Sequence, residues 1–206
     1  MTKTLIPSLL IVLLCAIGAY TEQTTQPGQT PLVFLREHDE QVKALLAGAP
    51  NDSLSPALRD TLKQRINATF DFVELSKLAL GTHWADRSSE EQAHFVETFS
   101  GIIREQNFDS FLRYYREGNM RYVGEEIEGD SAVVTAEVPL KRETVNIAYS
   151  VHKKQGQWRI FDLSIDDAST AEGNRRRYDR YLQKKSYAQL IQQLDKQLVR
   201  LLESGK

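Results

Sequence analysis

The chain has 206 residues, with 26 Lys and Arg against 28 Asp and Glu, and 41% of it is hydrophobic. That balance leaves no bulk electrostatic footprint for nucleic acid. A single cysteine rules out a disulfide framework and zinc–cysteine centres, and the length suits one domain of ordinary size.

Lys3 precedes an apolar run from Leu5 to Ala19, broken only by Pro7, Ser8 and Gly18 and followed by polar TEQTTQPGQT. A positive start, a short greasy middle and a small-residue exit predict a secretory signal peptide cleaved near Gly18 or Ala19. The run is shorter than the roughly 20 residues a membrane span needs. Residues 1–19 are therefore expected to be a leader, 20–31 a polar linker and 32–206 a single domain, exported to the periplasm. Cys15 lies inside the leader behind Leu14, not behind the small residue a lipoprotein cysteine wants. The mature chain then carries no thiolate nucleophile.

Helical periodicity runs from residue 32 to about 117. The first helix places Leu32, Leu35, Val42, Leu45 and Leu46 on its buried side and ends at Gly48. The second starts at Ser55–Pro56, where proline suits a first turn, and buries Leu58, Leu62, Ile66 and Phe70. A third spans Asp71 to Leu80 and stops at Gly81. The fourth opens on the capping-box spacing Ser88-Ser89-Glu90-Glu91 and carries Phe95, Phe99, Ile102 and Ile103 on one face. Its phase then slips to Phe108, Phe111, Leu112 and Tyr115, which predicts a bend near Gln106 or Asn107 returning both stripes to one core.

The period next changes from 3.6 to 2. MRYVGEEI, SAVVTAEVPL, TVNIAYSVHK and QWRIFDLSI read as four strands joined by short turns, hence an antiparallel meander. The second and third strands alternate, one face buried and the other partly wet. In the fourth, Trp158 and Ile160 fall on one face and Phe161, Leu163 and Ile165 on the other, so it is expected to be covered on both sides. Two helices close the chain, about Ser169 to Gln183 and Ser186 to Glu203, the second amphipathic. The class is α+β: N-terminal helices, a four-stranded antiparallel curved sheet and two C-terminal helices.

His38, His83, His94 and His152 fall in four elements without ligand spacing, and no glycine-rich phosphate loop or nucleophile elbow occurs. No catalytic residue, metal site or cofactor is expected. Ser169-x-x-Glu172 is a second capping box. Arg175 shares a helix face with Ala171, Tyr178 and Leu182 and is expected to point inward. There it serves either a phosphate group, whose oxygens suit its planar fork, or a bridge to Asp162 or Glu172. Arg176, Arg177, Arg180 and Lys184 form an outward stripe. It is either a solvated face or, through Arg176 and Arg180, a docking surface for an acidic partner.

Phe72, Leu80-Gly81, Trp84, Phe95, Phe99, the Trp158-x-Ile160-x-Asp162 strand, Ser169, Arg175 and Tyr178, taken as an ordered set, resemble the MlaC family of periplasmic phospholipid-binding proteins. The chain departs from that pattern at Asn174, where the family usually has an aromatic, at Gln106, where it has tyrosine, and around Thr170, where it is small and apolar. The resemblance implies an apolar cavity between sheet and helices. From the helices, Trp84, Phe95, Phe99, Ile103, Ala171 and Tyr178 would line its tail pocket. From the sheet come Val134, Ala136, Val138, Val145, Ile147, Tyr149, Ile160 and Leu163, with Arg175 at the mouth.

The implied protein is no enzyme but a monomeric carrier of phospholipid between an outer-membrane lipoprotein complex and an inner-membrane ABC transporter complex, maintaining outer-membrane asymmetry. Two other readings stand beside it: a cone-shaped isomerase or dehydratase of the nuclear-transport-factor kind, and a non-lipid envelope scaffold with a filled core.

Overall fold

In a computed structural model, residues 28–47, 49 and 54–204 are described; the leader, most of the linker and the Gly48 stop lie outside them. The elements are α1 (Pro31–Ala47), α2 (Pro56–Asn67), α3 (Phe72–Leu80) with a 3₁₀ turn (Gly81–Trp84), and α4 (Ser89–Glu117). Then come β1 (Arg121–Glu128), β2 (Ser131–Pro139), β3 (Thr144–Lys154), β4 (Gln157–Ile165), β5 (Ala168–Ser169), α5 (Thr170–Leu182) and α6 (Tyr187–Ser204).

Capping signals set the helix starts. Ser55 accepts from the Leu58 amide and Asp71 from that of Glu74. Ser88 and Glu91 form the expected reciprocal box, and Ser169 accepts from Glu172. Each satisfies an amide that the first helical turn would leave bare. At the far end of α4, Gly118 is required by a close approach: a Cβ there would lie 2.3 Å from Val138 Cγ1 and 2.8 Å from the Tyr114 carbonyl.

The sheet is an antiparallel meander in the order β1-β2-β3-β4-β5, five strands where four were expected. The addition is two residues long. Asp166 and Asp167 both take positive φ, 46° and 64°, as a tight hairpin turn demands, and fold Ala168–Ser169 back on Ser164 and Ile165. Asp166 also accepts from the Asn146 amide. So the acidic pair ahead of α5 makes a turn, not only a charged helix approach.

The expectation that β4 is apolar on both faces is corrected by a bulge. Register shifts between Ser150 and Val151, so Val151 pairs with Ile160, Ser150 with Asp162 and Tyr149 with Leu163. Phe161 is the extra residue. Paired residues point the same way, so Ile160, Leu163 and Ile165 join the face that carries Val134, Ala136, Ile147 and Tyr149. A second bulge at Val123 puts Tyr122, Glu125 and Ile127 on that face too.

Two cores result. The sheet core joins the inner sheet face to α1, α2 and the second half of α4, through Phe34, Leu35, Leu62, Phe108, Phe111 and Trp158 among others. The helical core joins α3, the first half of α4, α5 and α6. The helix α4 is continuous through Gln106–Asn107. Its phase slip serves two cores, so the expected return of both stripes to one core is not found.

Asp71 ties the two together. Its amide donates to the Ile160 carbonyl, and its carboxylate caps α3 while accepting from Lys154 at 2.8 Å and facing His152 Nε2 at 3.1 Å. Burial alone would raise this carboxyl, but the Lys154 hydrogen bond, the Glu74 amide, the Lys154 charge and His152 outweigh it and hold it below 3.8. A depressed carboxyl stabilises the fold above its unfolded value and loses that contribution as pH falls through the folded one. Asp71→Asn keeps a cap but drops the charge. It is expected to cost about 1 kcal/mol at pH 7, given that Lys154 is half exposed. In urea melts across pH, the gap from wild type should close as pH falls through the depressed value of Asp71.

Candidate functional site

Helix α1 lies across the inner sheet face, burying Phe34, Leu35 and Val42 against it. Beneath α1 is an interior pocket walled by Leu35, Ile66, Phe70, Phe111 and Ile160, with His38, Asp39, Thr69, Tyr115 and Tyr149 as its polar members. Its volume is about 20 Å³, far below the roughly 300–1,000 Å³ of pockets that enclose an organic ligand. Among the described residues the interior at this point is closely packed.

The polar members form an organised cluster. Asp39 is 5% exposed. Its Oδ1 accepts from the Tyr115 hydroxyl at 2.6 Å and its Oδ2 from the Tyr122 hydroxyl at 2.5 Å, so one carboxylate of α1 is gripped by α4 and β1 together. Charge-assisted bonds of this kind are about twice as strong as neutral ones. His38 Nε2 donates to the Arg65 carbonyl at 2.7 Å, which leaves Nδ1 3.8 Å from Asp39. Glu125 of β1 accepts from the Leu32 amide at 2.9 Å, a carboxylate at the positive end of α1. Burial, more than the Asp39 charge, pushes the Tyr115 phenol well above its usual value; burial and then the neighbouring Tyr149 and Asp39 do the same to Tyr122. Both phenols stay protonated donors.

Two larger hollows, about 480 and 550 Å³, flank α2 and α4 on the outside. They share Asp60, Lys63 and Glu105, and the Lys63–Glu105 ion pair, 2.6 Å, fills their common wall. Open and charged, they suit water better than an apolar guest.

The structure divides the expected tail-pocket residues between the two cores. Val134, Ala136, Val138, Val145, Ile147, Tyr149, Ile160 and Leu163 lie in the sheet core, and of these Tyr149 and Ile160 line the small chamber beneath α1. Trp84, Phe95, Phe99, Ile103, Ala171 and Tyr178 belong to the helical core. There Phe95 and Phe99 stack at 5.5 Å and Tyr178 meets both edge-on, at 5.9 and 6.2 Å.

Arg175 is not inward. It is exposed, and its Cγ and Cδ lie across Gly81, within 3.1 Å of where a Cβ would stand. Gly81 takes φ +61°, so this junction wants glycine for its backbone and for the arginine stem alike. Nor does Arg175 bridge to either expected carboxylate. Asp162 accepts from Ser169 Oγ and the Ala171 amide, and Glu172 pairs with Arg176 at 2.8 Å. Arg176 and Arg180 are exposed, as the outward stripe requires.

The Asp39 cluster was missed, though the sequence held a signal for it. Leu32, Leu35, Asp39, Val42 and Leu46 are spaced 3, 4, 3 and 4, and Asp39 occupies an apolar position in that stripe. A carboxylate there must be hydrogen-bonded or it destabilises the fold.

Among the described residues no group of three or more His, Cys, Asp and Glu could hold a metal, and no helix is long and apolar enough to cross a membrane.

No curated protein matches the chain. The fold is that of a phospholipid-binding protein from Ralstonia solanacearum whose structure was solved in complex with a phospholipid. The two agree with a TM-score of 0.72 at 20% identity, over 84% of this chain and 99% of that one. The family description "MlaC protein" matches residues 37–196, a span from within α1 to within α6 that includes the whole sheet. The chain thus belongs to the MlaC family.

Proposed function

We propose that the protein binds phospholipid, enclosing acyl tails between the inner sheet face and α1, and that it is a carrier with no catalytic role. The observation that carries this reading is the apolar inner face, covered by α1, α2 and the second half of α4, in a family fold whose solved relative holds a phospholipid. Each methylene kept from water is worth about 0.8 kcal/mol, so a sixteen-carbon tail is worth on the order of 12 kcal/mol. The tails take the place of Phe34, Leu35 and Val42 on the sheet, so their gain is set against those apolar contacts as well as against the polar bonds of α1. In the loaded state α1 stands away from the sheet, and the chamber grows by the volume of the tails.

The wider role follows the same reading. The mature protein works in the periplasm as a monomer, moving lipid between an outer-membrane lipoprotein complex and an inner-membrane ABC transporter complex, and so sustains outer-membrane asymmetry. Mass spectrometry of an organic extract from detergent-free protein tests the binding. About one phospholipid per chain is expected; an empty extract from folded protein would leave the scaffold reading in its place.

Arg176 and Arg180 on α5 are the docking residues of this proposal, set outward on the helical core and away from the chamber. Reversing both to glutamate is expected to cut lipid transfer between partner-bearing vesicles about tenfold, since each lost charge pair removes up to about 1 kcal/mol. Lipid loading should stay at its wild-type level. Unchanged transfer would make the stripe a solvated face.

A further inference from the structure

The chamber's hydrogen-bond donors can be accounted for one by one. Four side chains that line it carry a donor: His38, Thr69, Tyr115 and Tyr149. His38 Nε2–H is spent on the Arg65 carbonyl and the Tyr115 hydroxyl on Asp39. Tyr149 has only the Met120 sulfur at 3.7 Å, a weak acceptor. Thr69, 3% exposed, has no partner for Oγ1 among the described residues. A buried hydroxyl without a partner destabilises a fold, so this one, with the weakly held Tyr149 hydroxyl, stands out in the wall.

Thr69 is also fixed in place. Its carbonyl accepts from the Ile160 amide at 2.9 Å, the next residue, Phe70, bridges to Ile160, and the Asp71 amide returns a bond to the Ile160 carbonyl at 2.7 Å. Tyr149 is held in the middle of the sheet. Both donors therefore belong to the wall that stays when α1 lifts. The Asp39 carboxylate, by contrast, sits on the lifting side.

We propose that Thr69 Oγ1 and the Tyr149 hydroxyl form a polar subsite inside the chamber that donates hydrogen bonds to the ester carbonyl of a bound acyl lipid. This rests on the lipid-binding reading and extends it to the chemistry of the linkage. An ester carbonyl is neutral and only accepts, which matches one unpartnered donor and one held only by a weak thioether acceptor. A phosphate suits it less, because neither donor carries the positive charge that strong phosphate binding calls on. The subsite therefore orders the guest: ester linkage inward, charged headgroup towards water.

The test is competitive loading of the purified full chain from mixed vesicles of diacyl phosphatidylglycerol and its dialkyl ether analogue, equal in tail length and headgroup, with the bound ratio read by mass spectrometry. One hydrogen bond corresponds to about a tenfold preference for the ester lipid in wild type. Thr69→Val and Tyr149→Phe should each reduce the ratio, Thr69→Ser should retain it, and Thr69→Val with Tyr149→Phe together should bring it to near unity. Thr69→Val should melt no lower than wild type, since its lost hydroxyl had no partner. Equal uptake of both lipids by wild type, or a preference that survives the double variant, would overturn the subsite while leaving the carrier intact. Uptake of neither lipid would overturn the carrier reading and the subsite together.

Discussion

Asp39→Ala is expected to destabilise the protein by about 4 kcal/mol, more than any other single truncation of a side chain this small. Two charge-assisted hydrogen bonds are lost, each worth roughly 1.5–3 kcal/mol, and two phenols are left buried without an acceptor. The cost belongs mostly to the orphaned partners, not to the pair itself. Adding Tyr115→Phe and Tyr122→Phe to an Asp39→Leu background should therefore recover most of the loss, because a well-packed apolar replacement of a buried polar group is often close to neutral. Urea unfolding of the single and combined variants reads this directly. A triple variant no more stable than Asp39→Ala would show that the carboxylate is needed for something other than satisfying the two phenols.

The second large effect separates the two cores. Ala136 lies 2% exposed in the middle of the inner sheet face, between Val134 and Val138. Ala136→Trp fills space that the tails must occupy, and bound phospholipid should fall from about one per chain to under a tenth of that. Overpacking also costs the fold about 1–3 kcal/mol. Phe99→Ala in the helical core is the control, expected to cost about 3–5 kcal/mol and so to be the more damaging change to stability. Its lipid content should nonetheless match wild type, because Phe99 packs on Phe95 and Tyr178 and not on the chamber. If Phe99→Ala empties the protein while Ala136→Trp loads normally, the lipid lies in the helical core and the chamber under α1 is ordinary packing.

Local chemistry was legible in the chain and long-range placement was not. Ser88 with Glu91, Pro56 after Ser55, and Gly81 after Leu80 marked helix ends because a cap acts within one turn of its own position. The alternation of Ala132 to Val138 and of Val145 to Val151 named the inner face because the strand period is local too. Two features broke that locality. The Phe161 bulge inverts the alternation of β4 halfway along, so a strict period of two splits one face into two. The slip in α4 pointed to a single core because periodicity reports which side of a helix is apolar and not what covers it. Phe95 and Phe111 are both buried, yet one faces α5 and the other the sheet.

The candidate site was half readable for the same reason. Apolar wall positions such as Tyr149 and Ile160 follow from strand phase. Arg175 could be placed on the Ala171–Tyr178 side of α5 by angle, but not seen to cover Gly81, which is 94 positions away in the chain. The Asp39 grip needs three elements at once, and only its breach of the Leu32–Leu46 stripe was visible beforehand.

At 29 residues, α4 is a rod of roughly 44 Å, with its first half embedded in one core and its second half in the other. Neither half can melt without withdrawing a wall from its neighbour. The two cores are therefore expected to unfold together, and a hand placed on α5 or α6 holds the same beam that forms the back of the chamber.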